Sequence, residues 1–243
     1  MKRYYYTHQA TRGNPAKKIL RGISLLCFTG GVLCLGYVMF PLISWQLFFA
    51  PVIQTALAAP IPKTTIVSSD TMASLFTQAT ASLDTNYSDP QNWFPHHRMS
   101  DLRAPRIASY TLSIPKLGIK HAFVSTVDND LDHHLINFAG TAVPPDNGTT
   151  VIFGHSTLPQ LFNPKNYKAI FATLHTIQVG DTIDVTINDV SYQYRIYAIS
   201  IVNPDDESVF TQQTDNSYLT IVTCTPPGTT WKRLIIHSRL EKV

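Results

Sequence analysis

Between Gly22 and Pro62 the chain carries no charged residue, and this run constrains the fold more than any other feature. Its apolar portion, Ile23 to Phe40, is long enough to cross a bilayer at about 1.5 Å of helix rise per residue. Apolar sequence then continues past Pro41 from Leu42 to Ile53, so the whole stretch exceeds the roughly 7 to 15 residues of a signal-peptide core. The run therefore reads as an uncleaved anchor. A cleaved signal is the alternative, because Ala56-Leu57-Ala58 resembles a cleavage site. Lys2, Arg3, Arg12, Lys17, Lys18 and Arg21 precede the run, and the first acid anywhere is Asp70, which predicts a cytoplasmic N-terminus and an extracytoplasmic remainder. The expected organisation is a basic tail over 1–21, a transmembrane anchor over 22–50, a linker with a short helix over 51–106 and one globular domain over 107–243.

The anchor accounts for most of the charge asymmetry. Net charge is +3 over 243 residues, but the excess is the membrane flank, and the globular part has no basic patch interleaved with aromatics. Nucleic acid is therefore not an expected partner. Of three cysteines, Cys27 and Cys34 fall inside the anchor, separated by about 10 Å of helix rise and so beyond disulfide reach. Cys224 is left without an intramolecular partner in the exported part. An unpaired thiol there points to a reactive group or an intermolecular bridge.

Beyond the anchor, Pro60 to Ser69 reads as a linker. Met72, Leu75, Phe76, Ala79 and Leu83 recur at helical spacing and predict a short helix, followed by a turn carrying Trp93 and Phe94. From Ser109 onward the pattern changes to strand: Tyr110 to Ile114, Ala122 to Val124, Thr149 to Phe153, Thr182 to Ile187, Ser191 to Val202, Tyr218 to Thr223 and Leu234 to Ile236. Asn188-Asp189-Val190 marks a hairpin. A helix is expected over Asp130 to Asn137. The class is mainly β, with short helices.

Three residue types in this pattern carry chemistry. Cys224 ends an uncharged β-rich run and is followed by Pro226, Pro227 and Gly228, and Arg233 opens the next strand, so a thiol and a guanidinium face each other across two strand ends. His155 stands just beyond the run that Gly154 terminates, and an imidazole near a thiol supplies the proton traffic of nucleophilic catalysis. Thr220-Ile221-Val222-Thr223-Cys224 resembles the Thr-Leu-x-Thr-Cys signature of sortases, with Ile221 in place of Leu. Ile114-Pro115-Lys116-Leu117-Gly118-Ile119, Gly154-His155-Ser156 and Arg233-Leu234-Ile235-Ile236 are similar to three further motifs of that family, and all four appear in its order over roughly Ile107 to Leu240.

The resemblance implies a closed sortase-type β-barrel over 107–243 and a membrane-anchored cysteine transpeptidase. Its substrates would be the C-terminal sorting signal of exported proteins, held as a thioacyl enzyme, and an amine acceptor, either a cell-wall precursor or a pilin lysine. Cys224 is then the nucleophile, His155 the proton carrier, Arg233 the oxyanion and backbone-carbonyl ligand, and Thr223 a hydrogen-bond donor to bound peptide. A cysteine hydrolase using the same groups, or a noncatalytic barrel that binds cell-wall peptides, would satisfy the same residues. Asp89-Pro90-Gln91 is similar to the Asp-Pro-aromatic lid of some pilin-type sortases, with Trp93 as the substitute aromatic. No cofactor is implied beyond calcium, for which Asp128, Asp130, Asp132 and the loop Asp205, Asp206 and Glu207 offer oxygens without the Gly and terminal Glu of an EF-hand. The pairs His96-His97 and His133-His134 read as solvated histidines rather than metal ligands.

Overall fold

The computed structural model describes residues 15–44, 86–94 and 106–241, which fall into two units, an N-terminal helix and a β-barrel domain. Helix α1 runs from Pro15 to Ser44, and its segment Leu20–Phe40 has a mean hydropathy of 2.0 with none of its surface buried. That length and composition suffice to cross a bilayer. The hydroxyl of Thr29 donates to the Leu26 carbonyl, so this polar group is satisfied within the span. The expected helix over Met72 to Leu83 lies outside the described residues, as do His96 and His97.

The second unit contains eight strands: β1 (Ser109–Ile114), β2 (Ile119–Ser125), β3 (Leu135–Asn137), β4 (Gly148–Phe153), β5 (Thr182–Ile187), β6 (Val190–Val202), β7 (Ser217–Thr225) and β8 (Lys232–Leu240). They close in the order β1-β2-β3-β4-β7-β8-β6-β5, with β5 returning to β1. The β2–β3 and β4–β7 pairs are parallel and the others antiparallel. The expected β-barrel is therefore the observed fold. Asn188 and Asp189 both have positive φ, 47° and 64°, as a two-residue turn between twisted strands requires.

Alternation along the strands builds the interior. Tyr110, Leu112 and Ile114 of β1, Ile183 and Val185 of β5, Leu219 and Ile221 of β7, and Leu234 and Ile236 of β8 pack there as one apolar cluster. Strands β4 and β7 are buried along their whole lengths, which means that their outer face is covered too. The cover is a second cluster in which Trp93, Phe94, Phe138, Phe153 and Phe210 surround Val222, Cys224 and Ile235. Most of its rings meet edge-on or tilted, Trp93 to Phe153 at 5.4 Å and Phe94 to Phe210 at 5.1 Å, a geometry worth about 0.5 to 1.5 kcal/mol per pair beyond burial. Two hydrophobic layers thus sandwich the central strands.

The helix expected over Asp130 to Asn137 is not formed. A turn occupies its first part and β3 its second, for a local reason. The Asp128 carboxylate accepts from the Asp130 amide and the Asp130 carboxylate from the Asp132 amide, so side chains take the donors that a helix would use. Pairing of Ile136 with both Ser125 and Phe153 then completes the strand. The same turn engages the histidines next to it. His133 pairs with Asp130 at 2.7 Å and is largely exposed, whereas His134 is mostly covered and pairs with Asp128 at 3.0 Å.

Gly154, at the end of β4, is fixed by contact rather than by backbone angle. A Cβ there would land inside the Phe171 ring and 2.6 Å from Leu135 Cδ2. Both neighbours belong to the interior cluster and cannot retreat cheaply. Gly154→Ala is therefore expected to cost about 1 to 3 kcal/mol and to lower the thermal midpoint by several degrees. Thermal unfolding of the detergent-solubilised chain followed by circular dichroism checks it; an unchanged midpoint would contradict the crowding.

Candidate active site

Pairing of β7 with β8 runs from Tyr218 opposite Arg239 to Thr225 opposite Lys232, and it sets Cys224 directly opposite Arg233. Cross-strand partners point to the same face, here the outer one beneath the aromatic layer. The guanidinium is 1% exposed. Its Nη1 donates to the carbonyls of Thr230 and Lys232 at 2.9 and 3.3 Å, and its Nη2 to the Trp93 carbonyl at 2.9 Å. The Trp93 and Phe94 rings lie 5.4 and 5.9 Å from its central carbon. Nε has no acceptor, and among the described residues no carboxylate comes within ion-pair distance.

His155 reaches the same cleft from the end of β4. Gly154 is held by its amide on the Val222 carbonyl, and the Ser156 hydroxyl donates to the Cys224 carbonyl at 2.6 Å. The histidine loop is thereby tied to the backbone of the cysteine. The imidazole packs on Trp93 with ring centroids 5.7 Å apart, and its Nε2 lies 3.4 Å from Asp132 Oδ1. No hydrogen bond joins the thiol to the imidazole in this arrangement. An open cavity of about 340 Å³ adjoins His155, bounded among others by Ser88, Asp132, Ser156, Thr157 and Lys168.

Electrostatics here follow burial. The Cys224 thiol is pushed up to about 11 by burial, against which the Arg233 charge pulls it down. Burial also depresses His155 below its ordinary value, opposed by Asp132 and reinforced by Lys168. Both groups are neutral near pH 7 in this state.

Of the residues singled out in the sequence, Cys224 and Arg233 are thus set opposite each other, and His155 adjoins them through Trp93 and the Ser156 bond. Thr223 is not among them. It occupies the inner face of β7, is 1% exposed, and donates its hydroxyl to the Gly154 carbonyl at 2.8 Å, so its partner is the histidine loop rather than a bound peptide. Of the acids considered for calcium, the three in the turn before β3 are engaged otherwise: Asp128 by Ser125 and His134, Asp130 by His133, Asp132 by Lys168 at 2.8 Å. Among the described residues no group of three or more metal-capable side chains converges. Sequence reasoning noticed Asp132 only as part of an alternating acidic loop, and it assigned Ser156 no role apart from its motif. Their contacts come from chain segments far apart in sequence, for which no local signal exists.

Comparison with known proteins places the barrel domain in a family. The Sortase domain family model matches residues 112–241, more than half of the chain. Sortase D of Bacillus subtilis is 27% identical over 136 residues, which span 54% of this chain and 63% of that protein. Sortase A of Streptococcus agalactiae is 37% identical over 75 residues, 31% of this chain and 30% of that protein. The matched stretch is therefore less than two thirds of either relative. Among solved structures, sortase C-1 from Actinomyces oris superposes with a TM-score of 0.50 at 18% identity, covering 72% of this chain and 99% of that one, a likeness of fold. With the family pattern running through every strand from β1 to β8, this protein belongs to the sortase family.

Proposed function

We propose that this chain is a membrane-anchored cysteine transpeptidase that cleaves a C-terminal sorting signal of exported proteins and transfers the acyl part to an amine, either a cell-wall precursor or a pilin lysine. The observation that carries it is the cross-strand pair of Cys224 and Arg233, with the His155 loop bonded to the Cys224 carbonyl. Helix α1 is the anchor, with the basic N-terminal tail in the cytoplasm and the barrel outside. Membership of the family and the barrel fold support the reaction class.

In this mechanism the thiol proton passes to His155 and the sulfur attacks the scissile carbonyl carbon. A C–S bond forms, and the oxygen, now anionic, meets the Arg233 guanidinium in a water-poor site. Collapse breaks the C–N bond as the imidazolium protonates the departing amine. The incoming amine attacks the thioester, His155 takes its proton, and the C–S bond breaks to regenerate the thiol. Among the described residues Arg233 has no carboxylate partner, so its field is not spent on a resident anion there.

Residues 86–94 act as the lid over this cleft. A 3-10 turn at Pro90–Trp93, capped by Asp89, delivers Trp93 between His155 and Arg233. The Trp93 carbonyl accepts from Arg233 Nη2, as a substrate backbone carbonyl would. Trp93 is fully buried and Cys224 is 6% exposed, so peptide entry requires that the segment withdraw.

Incubating the full chain in detergent with a sorting-peptide library and a primary amine, and reading masses, tests the reaction. An acyl-enzyme on Cys224 and an amide product are expected, and Cys224→Ala should yield neither; hydrolysis unaffected by amine would instead make it a peptidase. Arg233→Lys is expected to lose about 2 to 4 kcal/mol of transition-state stabilisation, because an ammonium replaces a planar fork of donors; kcat/KM within threefold of wild type would remove Arg233 from the catalytic set. Labelling of Cys224 by a thiol reagent should rise roughly tenfold per pH unit toward pH 11 in the wild type, since only thiolate reacts. Trp93→Ala, by admitting solvent, should label faster at pH 7 and level off at lower pH. Superimposable profiles would sink the lid.

A further inference from the structure

Resting on that reading, the structure carries an inference about a residue that the cysteine, histidine and arginine set does not include. Asp132 sits in the turn before β3 with its side chain 27% exposed, and two groups from different parts of the chain converge on it. His155 Nε2 is 3.4 Å from Oδ1 and Lys168 Nζ is 2.8 Å from Oδ2. Its own turn fixes its position: the Asp132 amide is held by Asp130, and the Leu131 amide by the Ser88 carbonyl. A carboxylate so placed is aimed at the histidine by backbone bonds rather than by side-chain freedom alone.

We propose that Asp132 is a positioning residue for His155: its carboxylate holds the Nε2 edge of the ring and stabilises the imidazolium, while Lys168, on the same carboxylate, weakens that hold. A proton on Nε2 would meet this carboxylate and leave Nδ1 as the basic nitrogen. An imidazolium is required transiently in the mechanism, between deprotonation of the thiol and protonation of the leaving amine. Burial works against it, and the opposing help available is acidic: Asp132 first, then Asp130. Lys168 acts in the opposite sense, and the Trp93 ring closes the remaining side. Cys224, reached through the Ser156 bond, is the other titrating group at this loop.

Lys168 also explains why this pairing is adjustable. Its side chain is 63% exposed and lies against the open cavity, so the competing ammonium can leave the carboxylate for water.

The test is an NMR titration of His155 in the full chain in detergent, for wild type, Asp132→Asn and Lys168→Met, with kcat and KM for each variant. Asn keeps an acceptor at the same place and loses the charge. The His155 pKa should fall by about one unit in Asp132→Asn and rise in Lys168→Met. One unit corresponds to about a tenfold loss of imidazolium above the pKa, so kcat at pH 7 should fall about tenfold with KM unchanged. A merely structural salt bridge would not move the two variants in opposite directions. Unmoved titrations, shifts of the same sign, or opposed shifts with kcat unaltered would overturn the proposal. If Asp132→Asn fails to fold, Lys168→Met alone decides, because the Lys168 side chain is exposed and an unraised pKa refutes the hold. Opposed shifts in a chain without transpeptidation would leave the Asp132 to His155 coupling standing and remove the enzymatic reading.

Discussion

The register of β7 against β8 is the constraint on which the rest depends. Eight residue pairs, from Tyr218 with Arg239 to Thr225 with Lys232, place Cys224 and Arg233 together on the outer face and Leu219, Ile221, Leu234 and Ile236 inside the barrel. A slip of one residue would turn the thiol into the apolar interior and present Thr223 or Thr225 outward. Burial of both faces makes such a slip costly, since every inward aliphatic and every outward member of the aromatic layer would change places. The same pairing that stabilises the barrel therefore assembles the cleft.

Arg233 is buried with no counter-charge among the described residues, and this has consequences around it. An isolated cation removed from water is expensive, and here carbonyls of Thr230, Lys232 and Trp93 and two aromatic faces offset the loss. None of these neutralises the charge. Its potential remains available to a thiolate or an oxyanion, which a carboxylate partner would have cancelled. The closing layer that supplies the Trp93 carbonyl also dries the thiol and pushes it toward pH 11, so stabilising the arginine and silencing the cysteine are the same contact.

The acidic turn ahead of β3 shows how a polar loop takes its meaning from elsewhere. Asp128, Asp130 and Asp132 alternate, and two of them spend a carboxylate oxygen on backbone amides two residues on, which defines the turn and defeats the helix expected there. Each carboxylate also meets a basic side chain: His134 for Asp128, His133 for Asp130, and Lys168 with His155 for Asp132. Only the last of these reaches the cleft. Charge spacing alone favoured a solvated loop or a weak calcium site.

By itself the sequence determined the barrel class, the apolar N-terminal helix, the Asn188-Asp189 hairpin, and the placing of Cys224 and Arg233 at facing strand ends. Each is a local property: period-two alternation, unbroken hydrophobicity, turn chemistry at Pro226 to Gly228, and β-branched runs that bring two residues to matching ends. The tertiary structure decided what covers them. That Thr223 braces Gly154 from inside the barrel, that Trp93 lies between His155 and Arg233, and that Asp132 meets His155 all depend on segments tens of residues apart. Such contacts arise from filling the outer face of β4 and β7 and from satisfying buried polar atoms. Those are requirements of the packed molecule, and no window of sequence contains them.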